Sequence, residues 1–118
     1  MQKRIIAVLL FCGLLWLCHS PESENKMTRL QVQGQVTDST DGAPIYQVAV
    51  SLESGRGLEL VRTTTDPDGR YSLSSEVSED NCKGAKVLAF HLDFDPQVKS
   101  LICTNELQTI NFRLDRFQ

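Results

Sequence analysis

Three groups of residues have types and spacings that could do chemistry. The first is Asp66-Pro67-Asp68-Gly69, where two carboxylates alternate ahead of a glycine, as at the start of a calcium-binding loop. Such a loop needs a bidentate carboxylate at its twelfth position, which counted from Asp66 is Val77. Pro67 fixes φ and Gly69 accepts a positive φ, so the same four residues make a complete turn between strands. That reading accounts for every residue of the stretch. The second group is His91 with Asp93 and Asp95. The other histidine of the chain is His19, so a second imidazole for acid–base work is missing. A single histidine followed by alternating carboxylates is more simply the solvated end of a strand than a metal site or a base. The third group is Cys82 and Cys103.

What those cysteines do depends on where the chain goes. Lys3 and Arg4 precede an uncharged apolar run from Ile5 to Cys18, the pattern of a secretory signal and too short for a comfortable membrane span. Residues 1–20 are therefore expected to direct export, and residues 21–29 to form a polar tether. The placement of Cys18 at the end of the run resembles a bacterial lipoprotein signal, with Cys18 as the lipidated residue. Trp16 and Leu17 stand where such signals carry small residues. Soluble export and an uncleaved anchor are the other two readings. Cys12 and Cys18 belong to this segment, which leaves Cys82 and Cys103 as the pair of the mature domain. In an oxidising compartment two such cysteines form a disulfide more often than a metal site, and two thiolates are too few for structural zinc.

Without Lys3 and Arg4, ten basic and fifteen acidic residues remain. An acidic domain with no basic cluster is a poor partner for nucleic acid or anionic lipid. A membrane contact would then run only through an N-terminal lipid or an uncleaved anchor. There is no Asn-x-Ser/Thr sequon.

The elements that must hold these groups are strands. The chain has 118 residues, 41% of them hydrophobic and 23% charged, enough for one globular domain over residues 30–118. Leu30, Val32, Gly34 and Val36 alternate with Gln31, Gln33, Gln35 and Thr37, the period of a half-buried strand. "YQVAVSLES" repeats the pattern with Val48, Val50 and Leu52, and "LELVRTTT" with Leu58 and Leu60. "RYSLS", "AKVLAFHLDF", "QVKSLICT" and "LQTINFRLDRF" supply four more runs, the fifth overall less strictly alternating and so expected to be covered on both faces. "SSEVSEDNCKG" reads as the longest polar loop. Seven short strands with turn signals between them and no capped helical stripe predict an all-β, antiparallel β-sandwich with essentially no helix after residue 30.

The stretch "VQGQVTDSTDGAPIYQVAVSLES…RTTTDPDGRYSL" resembles the carboxypeptidase regulatory-like domain family, whose fold is a transthyretin-like Greek-key sandwich. The matching positions are Gly34, Val36, Asp38, Gly42, Pro44, Ile45, Val48, Val50, Leu52, Thr63, Thr65, Asp66, Gly69, Tyr71 and Leu73, of which Gly34, Asp38, Gly42, Pro44, Asp66, Gly69 and Tyr71 are the structural turn and motif residues. "INFRL" is similar to the closing strand of the family, but "AFHLDFDP" lacks the aromatic-Gly-Tyr run common before it. The resemblance implies a non-catalytic accessory module without a cofactor, working with another envelope or extracellular protein or with a glycan.

The same fold also carries 5-hydroxyisourate hydrolases. They resemble this chain in "DGAP" and "DGR" but use histidines, an arginine and a C-terminal Tyr-Arg-Gly-Ser. Here Gln33 and Gln35 stand where the first strand would carry a histidine, and the chain ends in "RLDRFQ". Adhesin domains of this shape carry a Lys–Asn isopeptide; Asn111 suits the acceptor, but the first strand has no lysine. No G-x-S-x-G or Ser-His-Asp set is present. The sequence therefore predicts binding rather than catalysis, through loops or a sheet edge.

Overall fold

The computed structural model describes residues 26–117. The signal segment with Cys18 and the first half of the tether lie outside the described residues. The rest is a two-sheet sandwich. The first strand, β1 (Met27–Asp38), starts three residues earlier than the expected domain boundary and takes in the end of the tether. It is followed by β2 (Ala49–Glu53), β3 (Glu59–Thr64), β4 (Arg70–Ser78), a single turn of helix α1 (Glu79–Cys82), β5 (Lys86–His91), β6 (Phe94–Ser100), β7 (Leu107–Thr109) and β8 (Phe112–Leu114). One sheet has β1 between β4 on one side and β7 and β8 on the other; the second runs β3-β2-β5-β6.

Period-2 alternation puts one face of each strand into the space between the sheets. Leu30, Val32 and Val36 of β1 meet Val50 and Leu52 of β2, Tyr71, Leu73 and Val77 of β4, Val87 and Ala89 of β5, and Phe112 and Leu114 of β8 in one core. Each fully buried aliphatic side chain there contributes about 1.5–3 kcal/mol.

Five expectations change. The strand count is eight, because the closing run is interrupted. Gln31 pairs with Leu107 and Val36 with Phe112 in the same register, so β7 and β8 are one strand broken at Ile110–Asn111. At the break the Asn111 Oδ1 accepts the amide of Gln35 at 2.9 Å, where a ladder carbonyl would otherwise sit. Both pieces also run parallel to β1, so the sandwich is not wholly antiparallel.

The fifth and sixth runs divide elsewhere. "AKVLAFHLDF" is not a strand covered on both faces but β5, a turn at Leu92–Asp93, and the start of β6. Within β5 the alternation is regular, with Val87 and Ala89 inward. The turn inside the run disguised it. Leu58, expected to face the core, is 64% exposed in the turn before β3.

The segment "SSEVSEDNCKG" is not a loop either. β4 continues through Ser78, paired to Met27, and α1 follows directly. Gly55 accommodates this helix turn: a Cβ there would lie 1.9 Å from the Lys83 carbonyl oxygen, and the Gly55 amide donates to the Asn81 carbonyl at 2.8 Å.

The two long sides of the sandwich differ. On one, β6 closes onto β8: Lys99 Nζ donates to the Asn111 carbonyl at 2.6 Å and Gln97 Nε2 to the Arg113 carbonyl at 2.5 Å. On the other, β3 and β4 end their sheets.

Candidate functional site

The "DPDG" turn is satisfied from within. Asp66 Oδ1 accepts the amides of Asp68 and Arg70, both at 2.9 Å, and the Asp66 carbonyl accepts Gly69 N–H at 2.8 Å. Gly69 has φ 76°, and a Cβ on it would come within 2.5 Å of the Val36 carbonyl oxygen. The Asp66 carboxylate therefore organises backbone, and Asp68 is exposed beside it. Thr65, buried in front of the turn, donates its hydroxyl to the Ile45 carbonyl at 2.7 Å and accepts the Val48 amide at 2.9 Å. It thereby ties this corner to the connection between β1 and β2.

That connection shapes one end of the sandwich. Gly42 (φ 75°) turns the chain, with its amide on the Asp38 carbonyl at 2.8 Å. Pro44 forms an isolated bridge with Thr37, and Ile45 is buried. Tyr46, next to it, is 52% exposed. Asp38 is buried at the end of β1; one carboxylate oxygen accepts the Thr40 amide at 2.8 Å and the other accepts Arg116 Nε at 2.9 Å. The Thr40 amide is the main reason that its pKa lies below the ordinary carboxylate value. Burial opposes this, and the Arg116 guanidinium adds to the lowering.

Arg116 also lies over the ring of Phe94, 4.8 Å from its centroid, and His91 meets the same ring edge-on at 5.3 Å. His91 Nδ1 accepts the Asp93 amide at 3.1 Å, so in this geometry the ring presents only its other nitrogen. Tyr46, Asp41, His91, Asp93 and Arg116 rim a cleft of about 240 Å³ over Phe94. The cleft offers an aromatic face, carboxylates and a guanidinium: hydrogen-bonding and stacking groups, with no nucleophile–base pair. Among the described residues no three His, Cys, Asp or Glu side chains converge as metal ligands.

A second cleft, of about 310 Å³, lies on the outer face of the β1 sheet between Gln33, Gln35, Arg70 and Asn111. This is where a hydrolase reading would need its histidine, and His91 lies in the other cleft. Asn111 spends its Oδ1 on Gln35 N–H, and Lys99 Nζ donates to the Asn111 main-chain carbonyl rather than to its side chain.

Cys82 and Cys103 mark the opposite end. Their sulfurs are 2.02 Å apart and their Cα atoms 5.4 Å, the geometry of a disulfide tying α1 to the connection between β6 and β7. Two residues of the 38–46 end carried no chemical signal in the sequence. Tyr46 reads there as one more strand residue, and Arg116 stands in a C-terminal run that names no motif.

The carboxypeptidase regulatory-like domain model matches residues 31–114. The chain belongs to this family. Of the motif residues of this regulatory-like domain, Gly42, Pro44, Asp66 and Gly69 occupy the corners described above and Asp38 ends β1, whereas Gly34 and Tyr71, expected among the turn and motif residues, lie inside β1 and β4 and pair with each other. No curated protein matches its sequence significantly. Solved structures match its shape. The C-terminal domain of the shaft pilin SpaA from Lactobacillus rhamnosus GG has a TM-score of 0.54 at 8% identity, over 76% of this chain and 99% of that one. The Bacillus anthracis TIE protein has a TM-score of 0.56 at 10% identity, over 75% of this chain. The 3-chlorocatechol 1,2-dioxygenase from Rhodococcus opacus 1CP has a TM-score of 0.54 at 13% identity, over 80% of this chain. The regulatory-like domain spans 62% of the dioxygenase and 17% of the TIE protein. At these identities the likeness is one of fold. Among the described residues no helix is long and apolar enough to cross a membrane.

Proposed function

We propose that this regulatory-like domain is an exported, non-catalytic module that binds another envelope protein or a glycan through the end built by residues 38–46. The observation that carries this reading is Tyr46. It is half exposed at the lip of a cleft whose rim holds Asp41, Asp93 and Arg116, although its neighbour Ile45 is buried. An aromatic ring beside fixed carboxylates suits a sugar face or a peptide with basic and apolar groups. The rim is held in place by the Asp38–Arg116 pair and the Asp41 Oδ1 contact to the Ala43 amide at 2.9 Å, which lowers the ordering cost of binding. The end at Glu79, in the segment that the sequence reads as the longest polar loop and the first candidate for binding, is a strand and a helix turn and offers less adaptable surface. Export rests on the charge and apolar pattern of residues 1–20.

The test is a crosslinking screen in the native envelope with probes at Asp41 and Glu79. A specific adduct at Asp41 that is lost in Tyr46→Ala supports the reading. Adducts at Glu79 alone move the interface to the disulfide end, and no adduct at either position removes the support for loop binding. Turnover of 5-hydroxyisourate that is abolished by His91→Ala would overturn the non-catalytic reading.

A further inference from the structure

The two sides of the sandwich treat their edge strands differently, and β4 is the one left available. An unprotected edge is a template for another strand; proteins blunt edges with proline, lysine, bulges or a cover. β6 contains Pro96 and is drawn onto β8 by Lys99 and Gln97. β3 has an irregular register with β2 at its start. β4 has neither proline nor lysine, and it pairs with β1 over nine residues without a break.

Which of its backbone groups are free follows from one hydrogen bond. Val36 N–H donates to the Gly69 carbonyl at 2.8 Å, in line with the β1–β4 register. In an antiparallel ladder the bonding residues alternate, so Tyr71, Leu73, Ser75 and Val77 turn their main-chain groups to β1 and the residues between turn theirs outward. Arg70 spends its pair on Asp66, its amide on Oδ1 at 2.9 Å and its carbonyl on the Asp66 amide at 3.0 Å. Ser72, Ser74 and Glu76 are left, all three exposed and symmetric about Ser74; the Glu76 carbonyl accepts only a long contact from the Ser75 hydroxyl, at 3.4 Å, which an incoming N–H can displace.

We infer that β4 is a self-association edge, on which a second copy of this chain lays its own β4 antiparallel with the two-fold axis at Ser74. Ser74 then faces Ser74 of the other copy, and Ser72 faces Glu76 of the other copy on both sides of the axis. Each pair exchanges two main-chain bonds, and the open groups are used together. Arg70 and Glu76 share the outer face, so Arg70 of each copy reaches Glu76 of the other on the diagonal. The opposite charges at the two ends of the strand favour this antiparallel match with a second copy.

The experiment is crosslinking through a cysteine added to the full chain, in the cells that make it and against the unaltered chain with its four native cysteines, together with sedimentation of the purified protein. Ser74→Cys should yield a disulfide dimer. Ser72→Cys should not, because the two Ser72 residues are offset along the strand; combined with Glu76→Cys it should crosslink again. The wild-type protein should sediment as a dimer and Ser74→Pro as a monomer, because the lost N–H points away from β1 and the fold tolerates its removal. Ser74→Lys sets two ammonium groups face to face at the axis and should also be monomeric, with unchanged circular dichroism. A monomeric wild type, equal crosslinking of Ser72→Cys and Ser74→Cys, or no crosslinking at either overturns the inference.

Discussion

The Tyr71 hydroxyl donates to the Ile110 carbonyl at 2.5 Å, reaching from β4 across β1 to the break between β7 and β8. Gly34 lies between them. A Cβ on Gly34 would sit 1.8 Å from that same carbonyl oxygen, and the Tyr71 ring is 3.0 Å away. The invasion of the Ile110 carbonyl, the interruption of the closing strand and the side-chain bond from Asn111 are one arrangement, and burial of the phenol pushes its pKa upward.

Gly34→Ala should accordingly lose about 3 kcal/mol or more, because the neighbour is main chain and cannot swing aside. Tyr71→Phe keeps the ring and removes one buried bond, with an expected loss of about 1–2 kcal/mol. Urea unfolding of both variants checks the order; equal, small losses would contradict the packing described here.

Thr65→Val should cost about 1–3 kcal/mol, although it adds an apolar group in a buried place. It leaves the Val48 amide and the Ile45 carbonyl without the hydroxyl that serves both. Serine at the same position should restore most of the loss, which the same unfolding measurement reads.

Reduction of the Cys82–Cys103 bridge should lower stability by about 3 kcal/mol, given a sequence separation of 21 residues. Cys82→Ser should match it. Mass mapping of the exported protein under non-reducing conditions should find the two residues in one linked peptide pair; free thiols at both would refute the pairing.

The Asp38 carboxyl titrates lower in the folded protein than in the unfolded chain. Its contribution is therefore complete above the ordinary carboxylate value of about 4 and is lost as pH falls through the lower folded value. Asp38→Asn should flatten the acid limb of a stability–pH profile and lower stability at neutral pH. An acid limb of the same steepness in the variant would show that other carboxylates set it.

The strands and their inward faces were legible in the sequence, since Val48, Val50 and Leu52 or Tyr71 and Leu73 announce a period of two. So were the corners, because Gly42 and Gly69 sit where only a positive φ lets the chain turn. What alternation does not carry is which strand is neighbour to which. The closing run alternates straight through Ile110 and Asn111, and nothing in it says that a carbonyl there folds over Gly34. In β5 and β6, the polar-apolar pattern continues across Leu92–Asp93, so the turn was hidden. The cleft was half legible: His91 and Asp93 stood out as titratable groups, but Tyr46 and Arg116 join them only once the sandwich brings two connections and the segment after β8 to one end.

The parallel pairing of β1 with β7 and β8 also sets how the domain bears a load. The first strand enters at Met27 and the last leaves at Leu114, at opposite ends of the sheet that they share. A pull applied between the two ends slides β1 past β7 and β8 along their length. Every bond of that ladder is then strained in shear together, instead of opening one after another, and the forced rate of unfolding is governed by the rupture of the whole set.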